Sequence, residues 1–475
     1  MLAGTQTRMP AVRAQTTTDL VRRINAPDFG GDAVAEHASA IFWLGRVTPT
    51  DNYVDMRVGY NQTELVIQAN VFDRRIWYSD TPTPNNHAEL AKWDALTLYL
   101  HTNTNAATLP TAPTTSTYRI TVQANWPNQG DKFQALARGD GAGYIPITAT
   151  LSSDSLWRGD GPNNDVDDRG YIITLHIPFG SLGHSAPPQP GDTWRMGVQL
   201  HDRDDAAGTP QYSPTWPESL DPQHVRTWGV LGFGLPQFQS PVATSNQQLI
   251  TIRHKLNNAS VTDATVGGGT TCADNFDYFA EFGNINHAGA EHANVQNQGD
   301  VADWPCFSKF YLTFPLDPLP IDKALISATL TVFQFGNSGQ GVPPPPVSSL
   351  IQAIAISETW QEANLTWNTA PLARENISMA RSLPMDAPTS RQTLQSVPVV
   401  LDVSEAVDEA RRSNAPLQLV LYSADGAQNS GKYFWTADVE DGLAEVRPTL
   451  QVSMGETTDP ATLPMRVYMP VARRD

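Results

Sequence analysis

The chain is short of cysteine, of charged side chains and of long apolar runs. Only two of its 475 residues are cysteines, Cys272 and Cys306, and two thiolates cannot build a four-ligand zinc site unaided. No apolar run approaches the roughly 18 residues that a membrane-spanning helix needs. We therefore expect no zinc centre built from cysteine and no transmembrane segment.

Signatures of catalysis are also missing. The sequence contains no Gly-x-Ser-x-Gly elbow, no His-Glu-x-x-His pair and no phosphate-binding loop, and its ten histidines are dispersed. A glycosidase pair can form from any two carboxylates that converge in a fold, so that one alternative stays open. We expect the protein not to be an enzyme.

Charge is scarce and unbalanced. Charged residues make up 17% of the chain, and the formal net charge is −18. Because binding to a phosphate backbone relies on Lys and Arg, this balance argues against a nucleic-acid partner. The acidity suits a soluble extracellular protein, and acidic oxygens also suit calcium. Simple solubility and calcium binding are both left open.

Turn residues and alternating apolar positions, by contrast, are abundant. The 37 prolines and 33 glycines favour many turns and few long helices. Apolar residues recur at every second position, as strands with one buried face require, within Leu65–Val71, Leu96–Leu100, Ile173–Ile177, Met196–Leu200, Phe310–Phe314, Ala328–Val332 and Leu417–Leu421. We predict an all-β fold of two β-sandwich or jelly-roll domains in tandem, joined by a short linker.

The predicted linker is residues 236–248, which are polar and lack periodicity. Residues 25–235 then form the first sandwich and residues 249–455 the second. A polar N-terminal segment, 1–24, precedes them, and a C-terminal tail, 456–475, follows them.

Two local features stand out in the second predicted domain. One helix is expected from Ser404 to Arg412, where Asp402 and Glu405 fit a capping box. Upstream, Trp360 and Trp367 flank a short polar run, and the segment ends at Pro371, so we place them on a loop. Such rings either cap a sandwich or meet a flat ligand, and packing is the favoured interpretation.

The two cysteines are a candidate disulfide, Cys272–Cys306. In the chain-entropy model such a bridge would contribute on the order of 3 to 4 kcal/mol. Two buried, inert thiols are the alternative.

Two acidic runs are candidate calcium sites. A hard cation needs several oxygen ligands, and side chains at alternate positions of a loop can turn inward together. The candidate ligands are Asp202, Asp204 and Asp205 in one run, and Asn163, Asp165 and Asp167 in the other. Neither run is an EF-hand, and solvated acidic turns are the alternative.

Segments of the first predicted domain follow an order known from a sugar-binding family. They are Glu64–Asp73, Trp93–His101, Gly170–Phe179, Trp194–Asp204 and Thr227–Phe233. Together they resemble carbohydrate-binding module family 9 over nearly all of residues 30–235. The resemblance implies a sandwich that holds a sugar between two aromatic rings, with a charged or amide side chain bound to its hydroxyls.

The resemblance places candidate ligand-binding residues at Trp93, Arg119 and Trp216. Trp93 lies close to the first ring position, and Arg119 falls where the family often has an arginine. Trp216 is the nearest substitute for the second ring, because residues 220–223 contain no aromatic, and Thr97 replaces the family's glutamate. Retained sugar binding and tryptophans that only fill the core are both open.

Segments of the second predicted domain resemble the DNRLRE domain, which is related to carbohydrate-binding module family 96. They are Lys309–Pro320, Ile326–Val332, Trp360–Glu362, Leu365–Pro371, Leu401–Ser404 and Arg447–Val452. The resemblance implies a β jelly roll appended to secreted proteins, some of which bind acidic polysaccharide. Lys309 stands where that family usually has an arginine.

Two functions follow as hypotheses. In the first, the chain is a secreted, non-catalytic protein that binds extracellular polysaccharide or cell wall and carries a structural calcium ion. In the second, it is a subunit of an extracellular layer, sheath or filament that self-associates through exposed edge strands and keeps a degenerate sugar site.

Overall fold

The structure is a computed structural model in which strands predominate and helices are few and short, which confirms the predicted all-β sandwich fold. It describes residues 21–103, 109–125, 131–209, 211–241, 246–270, 277–299, 301, 306–338, 345–385, 396–426 and 429–457. Within these ranges, no helix is long and apolar enough to cross a membrane.

Residues 22–233, here called the first half, form two sheets. Their elements are β1 (Arg23–Ala26), β2 (Ala40–Gly45), β3 (Tyr53–Tyr60), β4 (Glu64–Phe72), α1 (His87–Leu90), β5 (Ala95–His101), β6 (Thr117–Gln123), β7 (Gln134–Gly139), β8 (Tyr144–Pro146), β9 (Ser152–Gly159), β10 (Asp168–Pro178), β11 (Thr193–His201), β12 (Thr215–Trp216) and β13 (Gly229–Phe233). Sheet I has the order β1-β13-β11-β5-β6-β7-β8, with β12 beside β11. Sheet II has the order β2-β3-β4-β10-β9.

Residues 248–455, the second half, form two more sheets. Their elements are β14 (Gln248–Arg253), β15 (Thr262–Gly267), α2 (Tyr278–Glu281), β16 (His292–Val295), β17 (Ser308–Phe314), β18 (Ala324–Asn337), β19 (Ser349–Ala355), β20 (Glu375–Ser382), β21 (Val397–Asp402), α3 (Ser404–Arg412), β22 (Leu417–Ser423), β23 (Lys432–Trp435) and β24 (Thr449–Gly455). Sheet III has the order β15-β17-β22-β19-β20. Sheet IV has the order β14-β24-β18-β23-β16, with β21 beside β18.

The alternating apolar segments all lie in strands, namely β4, β5, β10, β11, β17, β18 and β22. Helix α3 spans the predicted Ser404–Arg412, but its N-terminus differs from a capping box. Val403 is the N-cap residue and no side chain caps the helix. Asp402 Oδ1 instead accepts hydrogen bonds from the Ser404 amide (2.9 Å) and hydroxyl (2.6 Å).

The period-two pattern of the strands explains how the sheets stack. In β17, Phe310, Leu312 and Phe314 face the core between sheets III and IV. The intervening Tyr311 belongs to a second core, which also contains Tyr53 and Phe72 of sheet II and the apolar positions between sheets I and II. The sheets therefore lie in the order I, II, III, IV, and one apolar core continues from the first half into the second.

Aromatic contacts bridge sheets II and III. The ring centroids of Trp43 and Tyr422 are 5.7 Å apart, and those of Phe72 and Phe307 are 5.3 Å apart. Trp367, on the loop singled out in the sequence, is buried and lies 5.1 Å from Tyr53. Trp367 thus packs into the boundary between the halves, as the packing interpretation predicts.

The polar face of sheet II is buried rather than solvated. Gln68 and Asn70 alternate with the apolar face of β4, yet both are buried. Asp55 in β3 accepts hydrogen bonds from the hydroxyls of Tyr53 (2.6 Å) and Tyr422 (2.7 Å) and from Asn297 Nδ2 (3.0 Å). A period-two pattern indicates one polar face but cannot say whether water or another sheet covers it.

Two buried cations complete this interface. The Lys309 ammonium donates to the Tyr53 hydroxyl (2.7 Å) and lies among four rings, 4.0 Å from the centroid of Trp43, 4.8 Å from Tyr53, 3.7 Å from Trp367 and 5.0 Å from Tyr422. Arg57 donates to the carbonyls of Gln298 (2.6 Å) and Asp425 (3.0 Å). Burial lowers the pKa of Lys309 well below its usual value, and the Asp55 charge opposes that shift.

The edges of sheets I and III also meet. The Arg23 amide of β1 donates to the Arg374 carbonyl at the start of β20 (2.7 Å). Asn25 and Asn376 exchange hydrogen bonds between side chain and backbone in both directions, at 2.7 to 2.9 Å. These contacts cover backbone groups that an exposed edge strand would leave unpaired.

The predicted division into two domains at residues 236–248 stays a prediction. Phe238 in this segment packs against the core between sheets III and IV, and β14 begins at Gln248. Cys272 lies outside the described residues, so the Cys272–Cys306 bridge also stays a prediction.

Replacing Asp55 with alanine should destabilise the whole protein. The substitution leaves three buried donors without their acceptor, and we expect the free energy of unfolding in urea to fall by about 3 to 5 kcal/mol. Asp154→Ala, which removes an exposed carboxylate from β9 of the same sheet, is the matched control and should change it by less than about 0.5 kcal/mol. Equal effects of the two substitutions would contradict the interface described above.

Candidate ligand and cation sites

Trp93 lies just before β5 at one end of sheet I and is half-buried. The Arg203 guanidinium carbon is 3.8 Å from the centroid of the Trp93 ring, and its Nε and Nη2 donate to the carbonyls of Asp205 (2.8 Å) and Ala206 (2.6 Å). One face of the ring is therefore occupied by a fixed cation, and the residue as a whole is only partly exposed.

A recess of about 360 Å³ lies beside Arg203. Its polar lining consists of Lys92, His201, Asp202, Arg203, Thr209, Gln211 and Ser213. We call this the Trp93 recess. Its charged, amide and hydroxyl groups are the kinds that hydrogen-bond to sugar hydroxyls.

Behind the Trp93 recess, the polar residues of sheet I bond to one another. The Thr97 hydroxyl lies 2.9 Å from that of Thr121 and 2.8 Å from His201 Nε2, and His87 Nδ1 lies 3.0 Å from the Thr121 hydroxyl. Burial lowers the pKa of His201 to about 4. Thr97 thus takes part in an internal network instead of binding a ligand as the family's glutamate would.

Farther along sheet I, the predicted Arg119 lies against the protein's own rings. Its guanidinium carbon is 4.8 Å from the centroid of Tyr144, and Tyr144 packs near Tyr99, which in turn lies 5.5 Å from Trp228. Tyr99 and Trp228 are buried. The structure therefore does not bring Arg119 and Trp93 to one open site.

Trp216 corrects a sequence-based expectation. The residue is only 1% exposed, and its ring lies 4.6 Å from that of Phe42 in the core. A side chain this deeply buried cannot stack on a ligand. Trp216 lies in the two-residue strand β12, which pairs with β11. A strand this short between two prolines shows no alternation in the sequence that would predict the burial of Trp216.

Three carboxylates converge below the Trp93 recess. Asp73 follows β4, Asp94 precedes β5 and Asp202 follows β11, and one oxygen from each lies within 4.8 Å of one oxygen from the others. β5 and β11 are antiparallel neighbours, so the start of β5 and the end of β11 lie side by side at the same end of sheet I. We call these residues the aspartate trio.

The aspartate trio has too few donors for its oxygens. Asp94 accepts from the amides of Trp77 (2.5 Å) and Arg203 (2.8 Å), and Asp73 Oδ1 accepts from the Arg75 amide (2.8 Å). Asp73 Oδ2 and both oxygens of Asp202 are buried and accept no hydrogen bond of good geometry from the described residues, although the Asn52 side chain and the Arg203 amide lie near enough to Asp202 to oppose the rise in its pKa. Such orphaned oxygens fit a hard cation.

Electrostatics leads to the same conclusion. Burial, and then the neighbouring carboxylates, raise the pKa values of Asp73 and Asp94 well above the usual range. Burial followed by Asp204 raises the pKa of Asp202 to about 8. A calcium ion would remove this repulsion and would be held by Asp73, Asp94 and Asp202.

Of the predicted calcium ligands, only Asp202 belongs to the trio. Asp205 Oδ1 accepts from the Thr209 amide (3.0 Å), and Asp204 is not among the three converging groups. In the other run, Asp167 is paired with Arg74 at 2.7 and 2.9 Å, Asn163 accepts from the Tyr78 amide (2.8 Å), and Asp165 is exposed. Neighbours in sequence thus point to different partners, and the two converging carboxylates that sequence reasoning missed, Asp73 and Asp94, come from distant strand ends.

Comparison with known proteins gives likenesses in structure. A family 9 carbohydrate-binding module from Caldicellulosiruptor kristjanssonii in complex with cellotriose is 14% identical, with a TM-score of 0.31, over 47% of this chain and 100% of that one. A family 9 module from the same organism in complex with glucose is also 14% identical, with a TM-score of 0.29, over 47% of this chain and 100% of that one. A protein of known structure from Bacteroides uniformis is 11% identical, with a TM-score of 0.34, over 45% of this chain and 99% of that one.

No protein-family model and no curated protein matches the chain. The resemblance of residues 249–455 to the DNRLRE domain therefore stays a prediction.

His87 should make folding sensitive to acid. Burial, and then the Arg119 charge, lower its pKa to about 3, whereas histidine titrates near 6.5 in an unfolded chain. The folded protein excludes a proton that the unfolded chain accepts, so stability present above pH 6.5 is lost as the pH falls towards 3. Between pH 7 and pH 4.5, we expect the wild type to lose about 2 kcal/mol more than His87→Gln in urea unfolding. Equal losses would contradict the neutral, buried state of His87.

Proposed function

We propose that the protein is a non-catalytic carbohydrate-binding protein that attaches to extracellular polysaccharide or cell wall. The observation that carries this proposal is the polar Trp93 recess, whose lining residue Arg203 is stacked on the partly exposed indole of Trp93. The C–H face of a pyranose ring stacks on an indole, while its hydroxyls need fixed donors and acceptors. Lys92, Arg203 and Gln211 supply such groups at the recess.

The proposed role is binding without hydrolysis. Glycoside hydrolysis needs a protonated acid and a second carboxylate that both reach the substrate. Asp73 and Asp94 are fully buried, and so are both oxygens of Asp202, although all three have raised pKa values. The more open pair, Glu218 and Glu358, shares Arg22, whose hydrogen bond and charge outweigh burial and hold the pKa of Glu218 below its usual value.

We further propose that the aspartate trio holds a structural calcium ion. When bound, the ion would neutralise the buried carboxylates and tie the end of β4 to the edge of sheet I. Asp202 also lines the Trp93 recess, so the same ion would keep the floor of that recess in place. Localisation outside the cell follows as part of the proposal, because polysaccharide and cell wall are the proposed ligands.

The second candidate function is a subunit of an extracellular layer, sheath or filament. It is supported by β14, an edge strand of sheet IV on which Leu249 is 65% exposed. Another copy of the chain could add a strand there. Concentration-dependent polymers in light scattering, together with the absence of any glycan ligand, would favour this function over the first.

Trp93→Ala should weaken glycan binding. On an array that includes cello-oligosaccharides, we expect a specific hit for the wild type and at least about a tenfold weaker one for the variant, which corresponds to about 1.4 kcal/mol. Trp157→Ala is the matched control, since Trp157 is a half-buried tryptophan on edge strand β9. Loss of the hit in both variants, or in neither, would contradict a site at Trp93.

Removal of calcium should lower the melting temperature. At about 100 times its dissociation constant, a ligand that binds only the folded state stabilises by about 2.7 kcal/mol. We expect calcium, added to chelator-treated protein, to raise the melting midpoint of the wild type and of Asp205→Asn but not that of Asp73→Asn. Metal analysis without bound calcium, or an equal shift in Asp73→Asn, would refute the proposed ion.

A further inference from the structure

A second cavity, of about 660 Å³, lies between the two halves. The first half contributes Arg22, Trp43 and Glu218 to its walls, and the second half contributes Glu358, Trp367 and Leu372. We call this the junction cleft. The loop that carries Trp360 and Trp367, which the Trp93 recess does not use, forms one of its walls. Ligand pockets occur preferentially at such junctions, at volumes of roughly 300 to 1,000 Å³.

The walls of the junction cleft are held in place before any ligand arrives. Asn368 accepts from the Val47 amide and donates to the Val47 carbonyl, both at 2.9 Å, which locks the second-half loop to the first half. The Lys309 ammonium lies against the rings of both Trp43 and Trp367. A preformed site loses little conformational freedom on binding.

Arg22 organises two acceptors at the cleft. Its Nε and Nη2 donate to Glu218 at 3.0 and 2.5 Å, Nη2 also donates to Glu358 Oε1 at 2.5 Å, and Nη1 is bound to the carbonyls of Leu372 and Ala373 at 3.1 Å. All three nitrogens of the guanidinium therefore donate to groups of the protein itself. The two carboxylates are 51% and 45% exposed, so they can accept hydrogen bonds from a ligand.

The rest of the lining contains one exposed cation, Arg46, the amides of Asn284 and Asn368, hydroxyls and apolar surface. Thr48, Thr215, Thr359 and Thr369 carry hydroxyls, whereas Pro214, Pro371 and Leu372 are apolar, and Tyr212 is 57% exposed. Carboxylates that accept, beside apolar patches, suit a molecule with many hydroxyl donors and C–H faces. The charged lining residues are two cations, Arg22 and Arg46, and two carboxylates, Glu218 and Glu358, so the lining has no net positive charge to attract the carboxylate of a uronic acid.

We propose that the junction cleft is a second carbohydrate site, selective for neutral oligosaccharides. Sugar hydroxyls donate to Glu358 and Glu218, and the Tyr212 ring covers one sugar face. The Trp93 recess and the junction cleft share no lining residue, so each can fail without the other.

The test is titration calorimetry of the full chain with cellotriose, maltotriose and xylotriose as neutral probes and trigalacturonic acid as the acidic one. Trp93→Ala serves as the background, because any binding that it retains does not depend on the Trp93 recess. In this background we expect at least one neutral probe to bind more tightly than trigalacturonic acid.

Two variants in the same background address the cleft. Loss of a hydrogen bond to a charged group should make Glu358→Ala about 10- to 100-fold weaker, and Tyr212→Ala should be weakened about 3- to 10-fold. Tyr212→Ala removes an exposed ring, so it also guards against misfolding as the cause. Glu445→Ala is the matched control, because Glu445 is an exposed glutamate paired with Arg253 elsewhere.

The proposal is overturned if no neutral probe binds in the Trp93→Ala background, if trigalacturonic acid binds more tightly, or if both cleft variants bind like Glu445→Ala. Loss of all binding in Trp93→Ala alone would leave the proposed function standing and remove the second site.

Discussion

The burial of the polar face of sheet II against sheet III is the constraint on which the rest of the structure depends. A buried carboxylate and a buried ammonium are each costly unless every polar atom has a partner. Asp55 meets this requirement with three donors, and Lys309 meets it with the Tyr53 hydroxyl and four aromatic rings. Because these partners come from both halves, neither half is complete without the other.

The same packing explains where the candidate sites lie. Sheet II is covered on both faces, so a ligand cannot approach that sheet face-on. The Trp93 recess and the aspartate trio lie at one end of sheet I, and the junction cleft lies at the seam. Farther along sheet I, Arg119 packs against Tyr144, which lies beside the buried Tyr99 and Trp228.

The aspartate trio and the Lys309 cage show two solutions to one electrostatic problem. Lys309 is stabilised by groups that the chain itself supplies, chiefly ring faces and a hydroxyl. At Asp73 and Asp202, buried oxygens accept no hydrogen bond of good geometry from the described residues, so the chain leaves part of the compensation to a ligand or to protons. The aspartate trio is therefore a candidate cation site, whereas Lys309 with its four surrounding rings is a structural element.

The amino-acid sequence by itself determined the strands, the helix Ser404–Arg412 and the all-β class, because alternation and helical periodicity are local properties of the chain. It also singled out Trp93 and Asp202 as candidates; the structure places Trp93 against Arg203 and Asp202 beside Asp73 and Asp94, and their binding roles stay predictions. Only the tertiary structure decided that Gln68, Asn70 and Asp55 are buried, that Trp216 is a core residue, and that Asp73 and Asp94 join Asp202. The physical reason is that these outcomes depend on contacts between residues far apart in sequence, and no local pattern records which surface covers a polar strand face or which strand ends meet.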